Sequence, residues 1–178
     1  AYLLIVKLTP PKEEEKQEST SNYFQITDYA LKELDHISFA FDDGYEYTIR
    51  LTHKSDTNRS YSIDGKAQFD FDYSKMSSGC LSIASMSSSK RIGEDVEDLA
   101  LYGLETPKVT IEVAGTDGSK TTLYLGDTTA VGEYTYMRMD DSRDVYMLSS
   151  YTTRYLTARD SYYRNLSILT LDSEAPVT

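Results

Sequence analysis

The sequence predicts an α+β fold in which two similar units of antiparallel strands are each followed by a helix packed on the sheet. Three observations carry this. Apolar and polar residues alternate over 37–41, 45–51, 108–114 and 121–125, the period of a half-buried strand. Asp43-Gly44 and Asp117-Gly118 punctuate these runs as tight hairpin turns. Asp72, and Ser149 or Ser150, stand as N-caps ahead of segments with helical apolar spacing.

In the first unit, Ile37, Phe39 and Phe41 alternate with Ser38, Ala40 and Asp42. After the turn, Tyr45, Tyr47, Ile49 and Leu51 alternate with Glu46, Thr48, Arg50 and Thr52. Asp56-Thr57-Asn58 reads as a loop, and Ser60 to Ile63 as a short strand before Asp64-Gly65. From Tyr73 the spacing predicts a helix with Tyr73, Met76, Cys80, Ile83 and Ala84 on one face. Serines fill the other faces as far as Ser89. Gly79 weakens this helix by about 1 kcal/mol relative to Ala, so it must depend on packing against the sheet.

The second unit repeats the pattern. Lys108 to Ala114 and Thr121 to Leu125 flank one turn; Tyr134 to Met139 and Asp144 to Leu148 flank Asp140-Asp141-Ser142. A last helix is expected to carry Tyr151, Tyr155, Tyr162 and Leu166 on one stripe. Gly44 and Gly118 are 74 residues apart, and the same offset carries Ile37 onto Ile111 and Phe39 onto Val113. The expected helix starts, Tyr73 and Ser149, are 76 apart, which completes the reading of a duplicated unit. Ile37, Phe39, Ile49, Ile83, Ile111, Val113, Leu123 and Leu125 are the predicted core.

The folded domain is placed at 23–170, with units at about 35–90 and 108–166. Ala1 to Val6 is apolar but far short of the roughly 20 residues a membrane span needs. With the polar, Pro-containing stretch behind it, 1–22 reads as the end of a membrane anchor followed by a tether. Leu171 to Thr178 echoes Leu104 to Thr110, the lead-in to the second unit, and is read as the start of a further one.

Composition excludes several classes. Eighteen Lys and Arg against 29 Asp and Glu leave a net charge of −11. Nucleic-acid binding needs clustered cations, and so does docking on anionic lipid. Cys80 is the single cysteine, so neither an intramolecular disulfide nor a Cys-based zinc site can form. Sixteen Tyr, five Phe and no Trp suit half-buried strands, where a ring is covered and a hydroxyl stays wet. A tyrosine-lined glycan or peptide surface is the other use of that composition.

No candidate chemistry assembles from spacing. His36 and His53 lack the H-x-x-x-H or H-E-x-x-H interval of a metal site and read as surface histidines. Ser87 to Lys90 satisfies S-x-x-K, but Lys120-Thr121-Thr122 is not the K-T-G that such a hydrolase requires. Asp140, Asp141 and Asp144 offer oxygen ligands for calcium without the EF-hand interval or its glycine, and read as a turn. Asp70 and Asp72 resemble a glycosidase carboxylate pair, yet turn and capping roles account for them. The reading is therefore no catalytic residue, no cofactor and no metal.

Tyr102-Gly103-Leu104, Pro107, the following strand, Asp117-Gly118 and Leu125-Gly126-Asp127 together resemble a bacterial family, domain-of-unknown-function family 4340. Its members show a Tyr-Gly-Leu-x-x-Pro turn, a strand, an Asp-Gly hairpin and a Leu-x-Gly-Asp/Asn step. A Tyr-containing strand and a Val-Tyr pair follow, supplied here by Tyr134-Thr135-Tyr136 and Val145-Tyr146. The resemblance runs from about Asp35 to Arg164 and departs at Tyr61, where members often carry Trp. Gly103 and Gly126 are read as positive-φ turn positions, and Pro107 as fixing the chain direction.

The resemblance implies an exported, membrane-tethered protein whose genes often lie beside those of ABC transporters, with no catalytic residue to carry over. Two function classes follow. One is an extracytoplasmic, non-catalytic binding or scaffold module, accessory to an ABC transporter or another membrane protein. The other is a cell-envelope hydrolase or glycan-binding protein using surface Tyr and Asp. Contact with the membrane would run through the N-terminal segment, and no nucleic-acid partner is expected.

Overall fold

A computed structural model describes residues 23–53, 58–67 and 71–166, and for His53 the backbone alone. The anchor and tether at 1–22, Asp70 and the lead-in at 171–178 lie outside the described residues. The elements run β1 (Phe24–Asp28), β2 (Leu34–Phe41), β3 (Glu46–His53), β4 (Arg59–Ile63), α1 (Tyr73–Ala84), β5 (Ser85–Ser88) and β6 (Lys90–Gly93). They continue as β7 (Val109–Gly115), β8 (Lys120–Thr128), β9 (Tyr134–Met139), β10 (Val145–Ser149) and α2 (Ser150–Leu156). Eight strands form one sheet in the order β4-β3-β2-β7-β8-β9-β10-β6, and β1 pairs with β5 in a separate ribbon. Every pairing among these strands is antiparallel, so the α+β reading holds and no parallel crossover occurs among them.

The duplication is visible in the strand register. β2 and β7 meet side by side, pairing Ile37 with Val113, Ser38 with Glu112 and Phe39 with Ile111. Shifted by 74 residues, the first and last of these pairs become each other's image, so the ladder is self-complementary about Ser38 and Glu112. The next strands follow suit: Ile37 pairs with Ile49, and its image Ile111 pairs with Leu123. One strand further out the offset grows to 76, with Ile49 opposite Ile63 and Leu123 opposite Met139. Phe71 and Leu148, both buried, each stand one residue ahead of the helix caps Asp72 and Ser149.

All eight predicted core residues are buried to 1% exposure or less. They share one cluster with Met76, Cys80 and Ala84 of α1 and with Tyr155 and Leu156 of α2, so both helices cover the same sheet face. Asp72 caps α1 by accepting from the Lys75 amide at 3.1 Å, and Ser149 caps α2 by accepting from Thr152. Gly79 is a packing requirement as well as a weak helix former. A Cβ there would stand 2.8 Å from the Tyr163 hydroxyl.

The sequence reading errs at both helix ends. α1 stops at Ala84, not near Ser89, and 85–88 pairs with β1. The cause is Thr27, buried in β1, whose hydroxyl donates to the Ile83 carbonyl and accepts from the Met86 amide at 3.1 Å. The Tyr29 amide takes the Ala84 carbonyl, so β1 satisfies groups that a helix end leaves open. Tyr73 leaves the buried stripe, 40% exposed, and sets its ring edge-on to Tyr61.

α2 likewise ends at Leu156, and the expected stripe breaks: Tyr155 is buried, while Tyr151, Tyr162 and Leu166 are exposed. Beyond it the chain is claimed by the first hairpin. Tyr47 donates to the Ala158 carbonyl at 2.7 Å, Tyr45 donates to Asp160 at 2.6 Å, and Arg159 pairs with Asp43.

Candidate binding face

The two units differ on the sheet face away from the helices. In the second unit that face is covered by the segment between β6 and β7. A 3-10 turn at Leu99–Tyr102, capped by Asp98 and closed by Gly103 at φ +67°, brings Leu99 and Leu104 onto Val145. Tyr102 sets its ring edge-on to Tyr136, with centroids 4.9 Å apart, and Tyr124 joins the same small core. Arg143 fastens the segment through the Val96 and Glu97 carbonyls. The Tyr-Gly-Leu turn therefore straps the outer face of the second unit.

The first unit carries no such strap among the described residues. Its outer face holds a depression of about 520 Å3, within the usual range for ligand-sized clefts. Ser38 and Ala40 of β2, Thr48 of β3 and Thr110 of β7 line it, all half-buried. The Ser38 and Thr48 hydroxyls bond across the strands at 2.9 Å. Glu46, Asp64, Glu112 and Lys66 supply the charge around it. Alternation sets these positions opposite Ile37, Phe39, Tyr47 and Ile49, whose side chains join the core, and Phe39, Tyr45 and Tyr47 add aromatic atoms to the lining.

Glu112 sits between Lys120 at 2.9 Å and His36 at 3.4 Å. The Lys120 ammonium, more than the His36 imidazole, holds its carboxyl below the usual carboxylate range, against a smaller opposing effect of burial. Asp64 pairs with Arg50 at 2.9 Å. The Lys66 ammonium lies 3.5 Å from Asp160. Burial pushes Asp160 upward, but the Tyr45 hydroxyl and the Lys66 charge outweigh it, and the carboxyl sits below its ordinary value.

The residues weighed from sequence do not converge. His36 lies beside the depression, its Nδ1 2.6 Å from Asp35 and its Nε2 3.4 Å from Glu112. The Ser38 hydroxyl bonds instead to Thr48. The His53 side chain is outside the described residues; its backbone lies at the far end of β3, opposite Arg59. Ser87 is exposed on β5, while Lys90 stacks its ammonium on Tyr134, 4.2 Å from the ring centroid. Asp140 accepts from the Thr122 amide of β8 and Asp144 from the Asp95 amide beyond β6, so each acid ties its turn to a neighbouring segment. Asp72 is a helix cap and Asp70 lies outside the described residues. No cluster of three or more metal-ligating side chains occurs among the described residues. Sequence reasoning missed the depression itself, whose signal is the run of short side chains at the polar positions of β2 and β3.

An eight-stranded antiparallel sheet with two helices on one face and an open recess on the other defines an α+β module. The chain belongs to the family described as a domain of unknown function (DUF4340), whose sequence profile matches residues 62–175, more than half its length. The match opens within β4 and takes in the strap and the whole second unit; the first hairpin lies ahead of it. No curated protein and no solved structure matches the chain. No helix among the described residues is long and apolar enough to cross a membrane.

Proposed function

We propose that this domain is a non-catalytic binding module, held outside the cytoplasmic membrane by the segment that precedes it and serving as an accessory to an ABC transporter. The single observation that supports binding is the recess of about 520 Å3 on the outer face of the first unit. Two helices cover the other face of the sheet and the strap covers the outer face of the second unit, so among the described residues this stretch of sheet surface is left uncovered. The membrane and transporter parts of the reading rest on the family resemblance and on the apolar, then polar, character of residues 1–22.

The test is fractionation of cells expressing the full-length protein, with protease added from outside. Recovery in the membrane fraction with cleavage in intact cells is expected. A protein protected from external protease and found in the soluble fraction would sink the proposal.

A second reading, glycan binding, has its own observation. Tyr73 and Tyr61 stand with Arg59, Ser74 and Ser77 around another shallow depression of about 450 Å3. Aromatic faces beside hydroxyls suit sugar rings. Binding of soluble peptidoglycan fragments, lost in Tyr73→Ala, would favour it.

A further inference from the structure

The two outer faces can be compared position by position through the duplication. In the second unit the strap docks on Tyr124 and Tyr136. At the strand offsets of 74 and 76, their counterparts in the first unit are Arg50 and Ser60. A charged and a hydroxyl residue thus stand where the strap finds aromatic rings. The first face therefore lacks the two aromatic seats that hold the strap on the second.

The lining gives an occupant a sign. Three carboxylates, Glu46, Asp64 and Glu112, face one ammonium, Lys66, which itself leans on Asp160. Asp64 and Glu112 are paired to Arg50 and Lys120, whereas Glu46 is exposed and makes no hydrogen bond or ion pair with the described residues. Here Ser38, Ala40, Thr48 and Thr110 are short, which lets a main chain approach the sheet closely.

We propose that the outer face of the first unit, across the Ser38–Glu112 pair, receives an extended segment of a partner protein that places a Lys or Arg against Glu46. This rests on the reading of the domain as a binding module and names the chemistry of its partner. A net charge of −11 would draw such a segment in and make the association salt-sensitive.

The experiment uses the full-length protein in its own cells, with a photo-crosslinking amino acid in place of Ser62, on the outer face of β4. A second position, Leu81, 54% exposed on α1, reports the helix side. The expected result is a cross-link from Ser62 to a polypeptide whose captured segment carries Lys or Arg. Its yield should fall about tenfold in Glu46→Lys, equivalent to about 1.4 kcal/mol. Glu133→Lys, the same charge change on the other unit, should leave the yield intact, and unchanged thermal melting confirms that each variant folds. If Glu46→Lys fails to fold, Glu46→Gln replaces it, with a smaller fall expected.

Cross-links from Leu81 alone would overturn this inference while leaving the binding-module reading standing. So would capture of a glycan or an acidic segment at Ser62, or a yield indifferent to Glu46. Absence of cross-links from both positions would overturn both.

Discussion

The Tyr102 carbonyl packs directly on the Cα of Gly126, so that a Cβ at Gly126 would overlap it and stand 2.9 Å from the Gly103 carbonyl carbon. A Cβ at Gly103 would in turn lie 2.8 Å from the Asp127 amide nitrogen. The Tyr-Gly-Leu turn and the Leu-Gly-Asp step are thus two halves of one backbone contact. Gly103 does adopt the positive φ its motif suggests, but Gly126 lies inside β8, and close approach is what it supplies. Gly126→Ala should therefore cost more than about 3 kcal/mol, the upper range for overpacking, because its obstacle is backbone. Gly118→Ala meets nothing within 4 Å and bears only the strain of φ +86°, about 1–2 kcal/mol. Denaturant melts of the two variants should rank in that order; equal costs would mean the strap can lift off β8.

Phe39 carries the centre of the core. It is 1% exposed and stacks on Tyr47 with centroids 4.5 Å apart and planes within 4°. Phe39→Ala should destabilise by about 3–5 kcal/mol. Urea titration should show the midpoint falling with little change in slope. A loss below about 1 kcal/mol would mean the face closes over the cavity.

The parts of the fold legible in sequence are those set by local chemistry. Both Asp-Gly hairpins, the alternation that sorts Ile37 from Ser38, and the helix caps at Asp72 and Ser149 can each be read within a few residues. The parts that were not legible depend on distant partners. Ser85–Ser88 becomes a strand because Thr27, 56 residues from Ile83 in sequence, ends the preceding helix. α2 is cut short because Tyr45 and Tyr47, over 100 residues earlier, claim Asp160 and Ala158. The recess was half visible: alternation named Ser38, Ala40 and Thr48 as outward. That the strap shields only the second unit is a tertiary fact, and without it the first face has no claim over any other polar surface.

Asp160 ties the end of the second unit to the hairpin of the first, and the tie should show in acid. Its side chain is 8% exposed, bonded to Tyr45 and 3.5 Å from Lys66. Because its folded pKa lies below the ordinary value of 3.8, its contribution is complete above that value and is lost as pH falls through the folded pKa. Asp160→Asn should cost about 1.5–3 kcal/mol at neutral pH, the scale of a hydrogen bond to a charged group. The gap from the parent protein should narrow on acidification below about pH 4. Thermal melts of the two proteins from pH 7 to pH 3 measure it, and a gap that widens in acid would contradict the assignment.

Cys80 gives the most direct reading of the core. It lies fully buried on the inner face of α1, and burial pushes its thiol up to about 12. Thiolate is the reactive form, so two barriers act together: the group is inaccessible, and it is protonated at any pH where the protein is handled. A disulfide reagent at pH 8 should leave the native thiol unmodified over the time in which it labels the urea-unfolded chain completely. Labelling in water should then proceed only through opening of the core, at a rate set by the population of the open state. Destabilising that core with Phe39→Ala should accelerate labelling in proportion to the stability lost, about tenfold for each 1.4 kcal/mol. Prompt labelling of the native protein would mean that α1 does not sit on the sheet with Cys80 inward. Acceleration by Phe39→Ala without a matching loss in urea would mean that α1 detaches locally while the sheet remains whole.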